Sequence, residues 1–427
     1  MQLIDATTDA AAARVSRRRL ITLLAATFLF NVTGFAVISA AASVLLPTQV
    51  AATDPLGKVS VIGFLGAVGA IAAAGVPPIV GALSDRTRSR WGRRTPWILA
   101  GGVTSSVAFI LLGMQTSLGW LALCWFLVHG TVNIGMCIVS AVVADRVPVR
   151  QLGLAGTINS ATIPLGGAIG AILGARATHA MTFAYIAFGV AVLIVSLPLA
   201  RVAREQLGPP DGNQPAHANT ASLASRAARE INAMFAMFRT PDYRYFFAVR
   251  AMIIFGYSTA AALALYILTD YLKLPAGMHP TDALATLAVV EMMGFLLGGA
   301  IVGPLADRLG RRKIFVTVSA LLVSIALTLP AFSPIWHTQL VAGAIGALGF
   351  GGYFAVDHAL VIQVLPTHND AGRDLGTIHI AMTAPQVLAA PFAAFLINEF
   401  GYPTLFLVAS ALVLVGSLFV IPIRCVR

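Results

Sequence analysis

Residues 81–97, GALSDRTRSRWGRRTPW, return in shortened form at residues 303–313 as GPLADRLGRRK. Gly81 answers Gly303, Asp85 answers Asp307 and Arg86 answers Arg308, each 222 residues further on. Gly92-Arg93-Arg94 answers Gly310-Arg311-Arg312 after four extra residues in the first copy. Each copy lies between two long apolar stretches, and 222 is close to half of the 427-residue chain. A charged hinge at the same place in each half of a duplicated apolar chain points to a membrane transporter built from repeats.

Composition fits that reading. The chain is 58% hydrophobic and 11% charged, with a mean hydropathy of +0.85. A soluble domain carries roughly 25% charged residues, so water is not its solvent. A membrane helix needs about 20 mostly apolar residues. Twelve stretches meet that test: 20–46, 59–83, 96–115, 119–144, 152–174, 180–200, 243–269, 283–305, 314–332, 337–365, 374–397 and 402–423. The expected fold is an all-α integral membrane bundle of two pseudo-symmetric six-helix halves, residues 1–200 and 243–427, joined by a segment at 201–242.

The net charge of +11 is topological rather than a nucleic-acid footprint. With twelve spans and an inner N-terminus, 24 of the 28 Lys and Arg fall on the inner side. Lys58, Arg176 and Lys273 fall outside, and Arg250 lies within a span. That asymmetry obeys the positive-inside rule and places both termini in the cytoplasm of a cell whose inner membrane the chain spans. Arg17-Arg18-Arg19 before an apolar run looks like a secretory leader, but the run is too long and lacks a cleavage site, so it reads as the first span. Three cysteines offer neither a pairing framework nor metal spacing, no cofactor is implied, and a monomer suffices. No nucleophile–base set appears, so an enzyme is not expected.

Within the joining segment, GPPDGNQPAHANT (208–220) reads as a flexible linker. Leu223, Ala227, Ile231, Met234, Phe235 and Phe238 then recur at helical spacing, so 221–238 is expected to lie as an amphipathic helix on the membrane surface. The duplication has a second mark: Gln151-Leu152-Gly153 and Asp374-Leu375-Gly376 open the fifth and eleventh spans, each followed by a proline, Pro164 or Pro385, able to kink it. Glycine runs at 63–70 and 343–352 lie inside spans with no preceding strand and no lysine, so they read as helix-packing surfaces rather than nucleotide loops.

Both repeated loops resemble the motif between the second and third spans of the major facilitator superfamily, G-x-L-x-D-R-x-G-R-R/K. The longer copy is similar to the version in its glycoside–pentoside–hexuronide and sucrose-transporter branch, matched by Ser84, Asp85, Arg86, Ser89, Arg90, Gly92, Arg93, Arg94, Pro96 and Trp97. Stretches 54–70 and 351–366 also resemble bacterial members near that branch. The resemblance implies alternating access, inverted three-helix repeats and a central cavity lined by the first, fourth, seventh and tenth spans. The second span has no acidic residue, a departure from sodium–melibiose symporters that argues against sodium coupling there.

Physical chemistry assigns candidates within that frame. Gly92 and Gly310 suit tight turns. Asp85, Arg86, Arg90, Arg93, Arg94, Asp145, Asp307, Arg308, Arg311 and Arg312 are candidates for a cytoplasmic gate, against the alternative that the arginines only fix topology and meet lipid headgroups. Ionisable residues inside spans are costly and point to function: Arg250, Glu291, and Asp357 beside His358. At 1.5 Å per residue, Arg250 and Asp357 lie roughly 10 and 12 Å from the inner ends of oppositely running helices, so they can pair. Glu291, about 21 Å deep by the same rise, is the leading proton-carrier candidate. Asn31, His129, Asn133, Asn159, Tyr257, Tyr266, Tyr353, His379 and Gln386 supply the donors and acceptors that recognise sugar hydroxyls, or serve as interhelical ties. The expected function is proton-coupled symport of a sugar, glycoside or similar small polar solute. The alternatives are a proton-driven exporter of amphipathic compounds and a non-transporting receptor on the same scaffold.

Overall fold

A computed structural model describes residues 17–87, 89, 91–147, 151–204, 240–364 and 371–423. The expected surface helix at 221–238 lies outside the described residues. Helices occupy each apolar stretch in turn. The first span runs Arg17–Ala40, passes through a π-turn at Ala41–Leu45 and continues as Leu46–Thr53. The second to fourth are Lys58–Arg86, Thr95–Gly113 and Leu118–Arg146. The fifth is Leu152–Ser160 with Thr162–Arg176, and the sixth is Met181–Arg204. The seventh is Pro241–Ala261, then Ala264–Tyr266 and a π-turn at Ile267–Tyr271. The eighth to twelfth are Pro280–Leu309, Arg312–Phe332, Trp336–Val364, Ala371–Phe400 and Tyr402–Leu418. Among the described residues nine helices are long and apolar enough to cross a membrane, or ten with the bent seventh span counted whole.

Helix is what the solvent demands, since a spanning segment must satisfy its backbone groups internally. The fifth span breaks at Ala161, three residues before Pro164, which has no N–H to offer the Ser160 carbonyl. The equivalent eleventh span runs unbroken past Pro385 and Pro391. The seventh bends by 47° between Ala261 and Ala264, where the sequence holds no proline.

The chain forms two compact units. One takes residues 1–45 and 71–210; the other takes 46–70 and 211–427, so the dividing points fall inside the first and second spans. In the first unit the first span packs on the fifth and sixth, and the third on the fourth and sixth. The same pairs recur in the second: seventh on eleventh and twelfth, ninth on tenth and twelfth. The duplication read from the loops is therefore a duplication of packing.

Small residues set the closest contacts, as expected where lipid is as apolar as any side chain. Gly294, Gly298 and Gly351 bring the eighth and tenth spans together backbone to backbone, and Gly349 does so for the tenth against Ser319 of the ninth. Gly63 and Gly66 lie against Ala394 and Ala390 of the eleventh span. The fifth span adds Gly166, Gly170 and Gly174, four residues apart, facing the first span from Val32 to Val44.

Two glycines three residues apart on the fifth span give a matched test of this packing. A Cβ at Gly170 would meet the Ala36 carbonyl oxygen and lie 2.8 Å from Ser39 Cβ, whereas one at Gly167 meets nothing. Gly170→Ala should lower thermal stability in detergent by about 1–3 kcal/mol of overpacking. Gly167→Ala should leave it unchanged or raise it by up to about 1 kcal/mol through helix propensity.

Candidate functional site

The two repeated turns are built alike. Gly92 adopts φ +95° and Gly310 φ +61°, a region a side chain would strain. The amide of Gly92 donates to Ser89 O at 2.9 Å and that of Gly310 to Ala306 O at 3.0 Å. In each copy the second arginine after the glycine reaches back to the preceding helix. Arg94 Nη1 donates to the buried Ser84 hydroxyl at 2.6 Å, and Arg312 Nη2 pairs with Asp307 Oδ1 at 2.9 Å. Trp97 Nε1 adds a bond to Thr87 Oγ1 at 2.8 Å. Arg93, Arg308 and Arg311 are exposed. Arg90 lies outside the described residues, as do the side chains of Asp85, Arg86 and Asp145.

Deeper in the second unit the structure brings Arg250 and Asp357 together. Arg250 Nη1 stands 3.2 Å from Asp357 Oδ2, with side chains only 6% and 2% exposed. Tyr353, one turn before Asp357 on the same helix face, donates its hydroxyl to Asp357 Oδ1 at 3.1 Å. Arg250 Nη2 also reaches Met382 Sδ of the eleventh span at 3.7 Å. Three helices thus converge on one carboxylate–guanidinium pair. Depth made this legible: opposed helices with charges at one level present them to each other. The side chain of His358 lies outside the described residues.

Glu291 projects from the eighth span toward Gly343, where a Cβ would sit 3.5 Å from its Cγ and 3.6 Å from Oε1. The glycine gives the carboxylate room. Tyr257 of the seventh span stacks on Phe350 with ring centres 3.9 Å apart, the planes 3° apart. Phe350 also neighbours Phe295, Tyr353 and Phe354. Phe295, one helical turn from Glu291, belongs to this aromatic set, and among the described residues Arg250 pairs with Asp357.

In the first unit Asn31 donates from Nδ2 to Asn159 Oδ1, tying the first span to the fifth. The buried Asn31 Oδ1 has no hydrogen-bond partner among the described residues. His129 lies edge-on to Trp125, ring centres 4.4 Å apart, and its buried Nδ1 likewise has no partner among the described residues. Asn133 shares the His129 face but turns its amide to the His129 carbonyl at 2.8 Å. Tyr266 is engaged elsewhere, its hydroxyl donating to Pro47 O at 2.9 Å. Gln386 is exposed, and the side chain of His379 lies outside the described residues.

One polar cluster went unnoticed in the sequence: Lys58, Asp270 and Tyr402, at helix ends opposite the repeated turns. Its signal was faint, an acid at the end of one apolar run and one of three lysines and arginines on the side the rule leaves empty.

Residues 58–368 match the family described as MFS/sugar transport protein. A niacin transporter, NiaP, from Acinetobacter baylyi is 33% identical over 121 residues, 28% of this chain and 27% of that one. A sucrose transport protein, SUT1, from Oryza sativa subsp. japonica is 42% identical over 57 residues, 13% of this chain and 11% of that one. The matched segments thus span about a quarter or less of these curated relatives. The nucleoside transporter NupG superposes with a TM-score of 0.73 at 11% identity, covering 94% of this chain and 99% of that chain. That likeness shows the fold.

Removing one partner of a buried ion pair strands the other, a loss of about 3–5 kcal/mol, while replacing both with apolar residues is often neutral. Asp357→Asn or Arg250→Met alone should therefore lower the unfolding temperature in detergent sharply. The double variant Arg250→Met/Asp357→Leu should recover most of it, read by thermal unfolding of all four proteins.

Proposed function

The chain belongs to the MFS/sugar transport protein family, and from that premise we propose that it is a secondary active transporter carrying a small neutral polar solute, a sugar or glycoside, together with protons. Two six-helix halves, 1–200 and 243–427, joined through 201–242, would alternate access to a central site. In this reading a single chain suffices, the membrane is the inner one and both termini are cytoplasmic.

The observation that carries the substrate class is the Arg250–Asp357 pair. Its two formal charges cancel within the protein, so neither is left to attract an ionic cargo. Among the buried polar atoms without partners in the described residues are neutral ones, Asn31 Oδ1 and His129 Nδ1. Neutral donors and acceptors with aromatic faces nearby, such as Tyr257 on Phe350, suit a hydroxyl-bearing ring with an apolar face. Proton coupling falls to Glu291, which no arginine or lysine engages among the described residues, and to Asp357, whose charge Arg250 and Tyr353 hold in place.

A second reading draws on one observation. The rings of Tyr257, Phe295, Phe350 and Phe354 beside Glu291 also suit an amphipathic compound exported against protons.

Purified protein in liposomes separates the two. Labelled sugars and glycosides should accumulate only under an inward proton gradient. Glu291→Gln should abolish that accumulation while leaving passive exchange of the same cargo across the membrane. Gradient collapse driven by amphipathic compounds, with no uptake of any sugar, would instead establish the exporter.

A further inference from the structure

We propose that Lys58, Asp270 and Tyr402 form a latch that closes the transport path at the end of the helices opposite the repeated turns, with residues 46–70 as the part that lets go. Lys58 Nζ lies 2.7 Å from Asp270 Oδ2 and donates to Oδ1 at 2.8 Å, so the ammonium sits across both carboxylate oxygens. Tyr402 donates its hydroxyl to Oδ2 at 3.1 Å.

Neither charge serves its own helix. Lys58 opens the second span, where the helix dipole disfavours a cation, and Asp270 lies in the last turn of the seventh, where it disfavours an anion. Nor does Lys58 help orient the chain, being among the few basic residues on the side that the positive-inside rule leaves empty. Each charge is accounted for by the other.

The two sides of the latch are held differently. Asp270 is fixed by its surroundings. Tyr402 stacks on Tyr271 with ring centres 5.3 Å apart, and Tyr271 donates to Pro330 O at 2.8 Å. Just beyond, Lys273 and Ile335 form a parallel bridge, with Lys273 N to Pro334 O at 2.9 Å and Trp336 N to Lys273 O at 3.2 Å. The acceptor is preformed. Opposite it, residues 46–70 are attached by separable contacts: Lys58 over the Tyr266 ring at 4.9 Å, the Tyr266 hydroxyl on Pro47 O, and Asn398 Nδ2 on Ser60 Oγ at 2.8 Å. Gly63 and Gly66 lie close on Ala394 and Ala390 of the eleventh span. The pair is 23% and 29% exposed, so water can replace each partner. At its first end the segment follows the π-turn at Ala41–Leu45, a break in the regular helix of the first span.

The latch rests on the alternating-access reading, but its test does not depend on the cargo. Leu65, 1% exposed, lies on the same segment behind Lys58. Leu65→Cys, with Cys124, Cys137 and Cys425 changed to Ser, is labelled in sealed vesicles by a membrane-impermeant maleimide from the latch side. Lys58→Met and Asp270→Asn should each raise the labelling rate about two- to fivefold, the shift a partly exposed pair supports. Lys58→Asp should raise it further, and Lys58→Asp/Asp270→Lys should bring it back toward the parent. Unchanged labelling in all single variants would overturn the latch. So would lowered thermal stability with labelling raised equally from both sides, which marks a structural tie. A failed sugar-uptake panel with latch-dependent labelling would reject the cargo and keep the gate.

Discussion

A charge inside a bilayer must be answered at its own depth, because hydrocarbon supplies neither water nor ions to screen it. Arg250 and Asp357 obey that constraint, and much of the second unit can be understood as the means of obeying it. Two helices running in opposite directions must hold a common level to within a side chain's reach. Backbone-to-backbone contacts do this better than long side chains, which would let helices slide. Gly294, Gly298 and Gly351 seat the tenth span on the eighth, and Gly349 seats it on the ninth. Gly256 and Gly416 seat the seventh span on the twelfth. With register fixed on every side, a guanidinium and a carboxylate meet at 3.2 Å and Tyr353 completes the set.

Features governed by the solvent were legible from the sequence. Span length follows from bilayer thickness, so each apolar run became a helix. A charge in such a run is conspicuous, and a fixed rise per residue converts its position to a depth, which is why the pairing of Arg250 with Asp357 could be anticipated. Gly92 and Gly310 were legible because a sharp turn between charged helix ends asks for positive φ. The repeat of the loops was likewise a guide to the repeat of the packing.

What escaped notice depends on contacts between ordinary residues. Arg94 bonds Ser84, and a motif that marks both residues does not say that they pair. Asn133 points at its own helix's carbonyl, a local choice that competes silently with ligand binding. Gly166, Gly170 and Gly174 form a regular stripe, yet a stripe becomes a surface only when the facing helix is known. The seventh-span bend between Ala261 and Ala264 has no proline to announce it. Lys58 and Asp270 were the hardest, since charges at span ends are commonplace and 212 residues separate these two.

The ionic contacts of the described residues are graded by depth, and the grading matters mechanically. A half-exposed pair such as Lys58–Asp270 or Asp307–Arg312 contributes up to about 1 kcal/mol, because water stands ready to replace either partner. A buried pair such as Arg250–Asp357 costs about 3–5 kcal/mol to leave half-broken. A machine that must rearrange at its ends while keeping its interior needs that order rather than the reverse. Contacts at the helix ends can open and reform in thermal motion. The interior pair stays closed unless something else takes a partner's place, a proton on Asp357 or a cargo polar group on Arg250. In the proposed mechanism chemistry deep in the membrane is therefore the switch, and the weak pairs at the helix ends follow it.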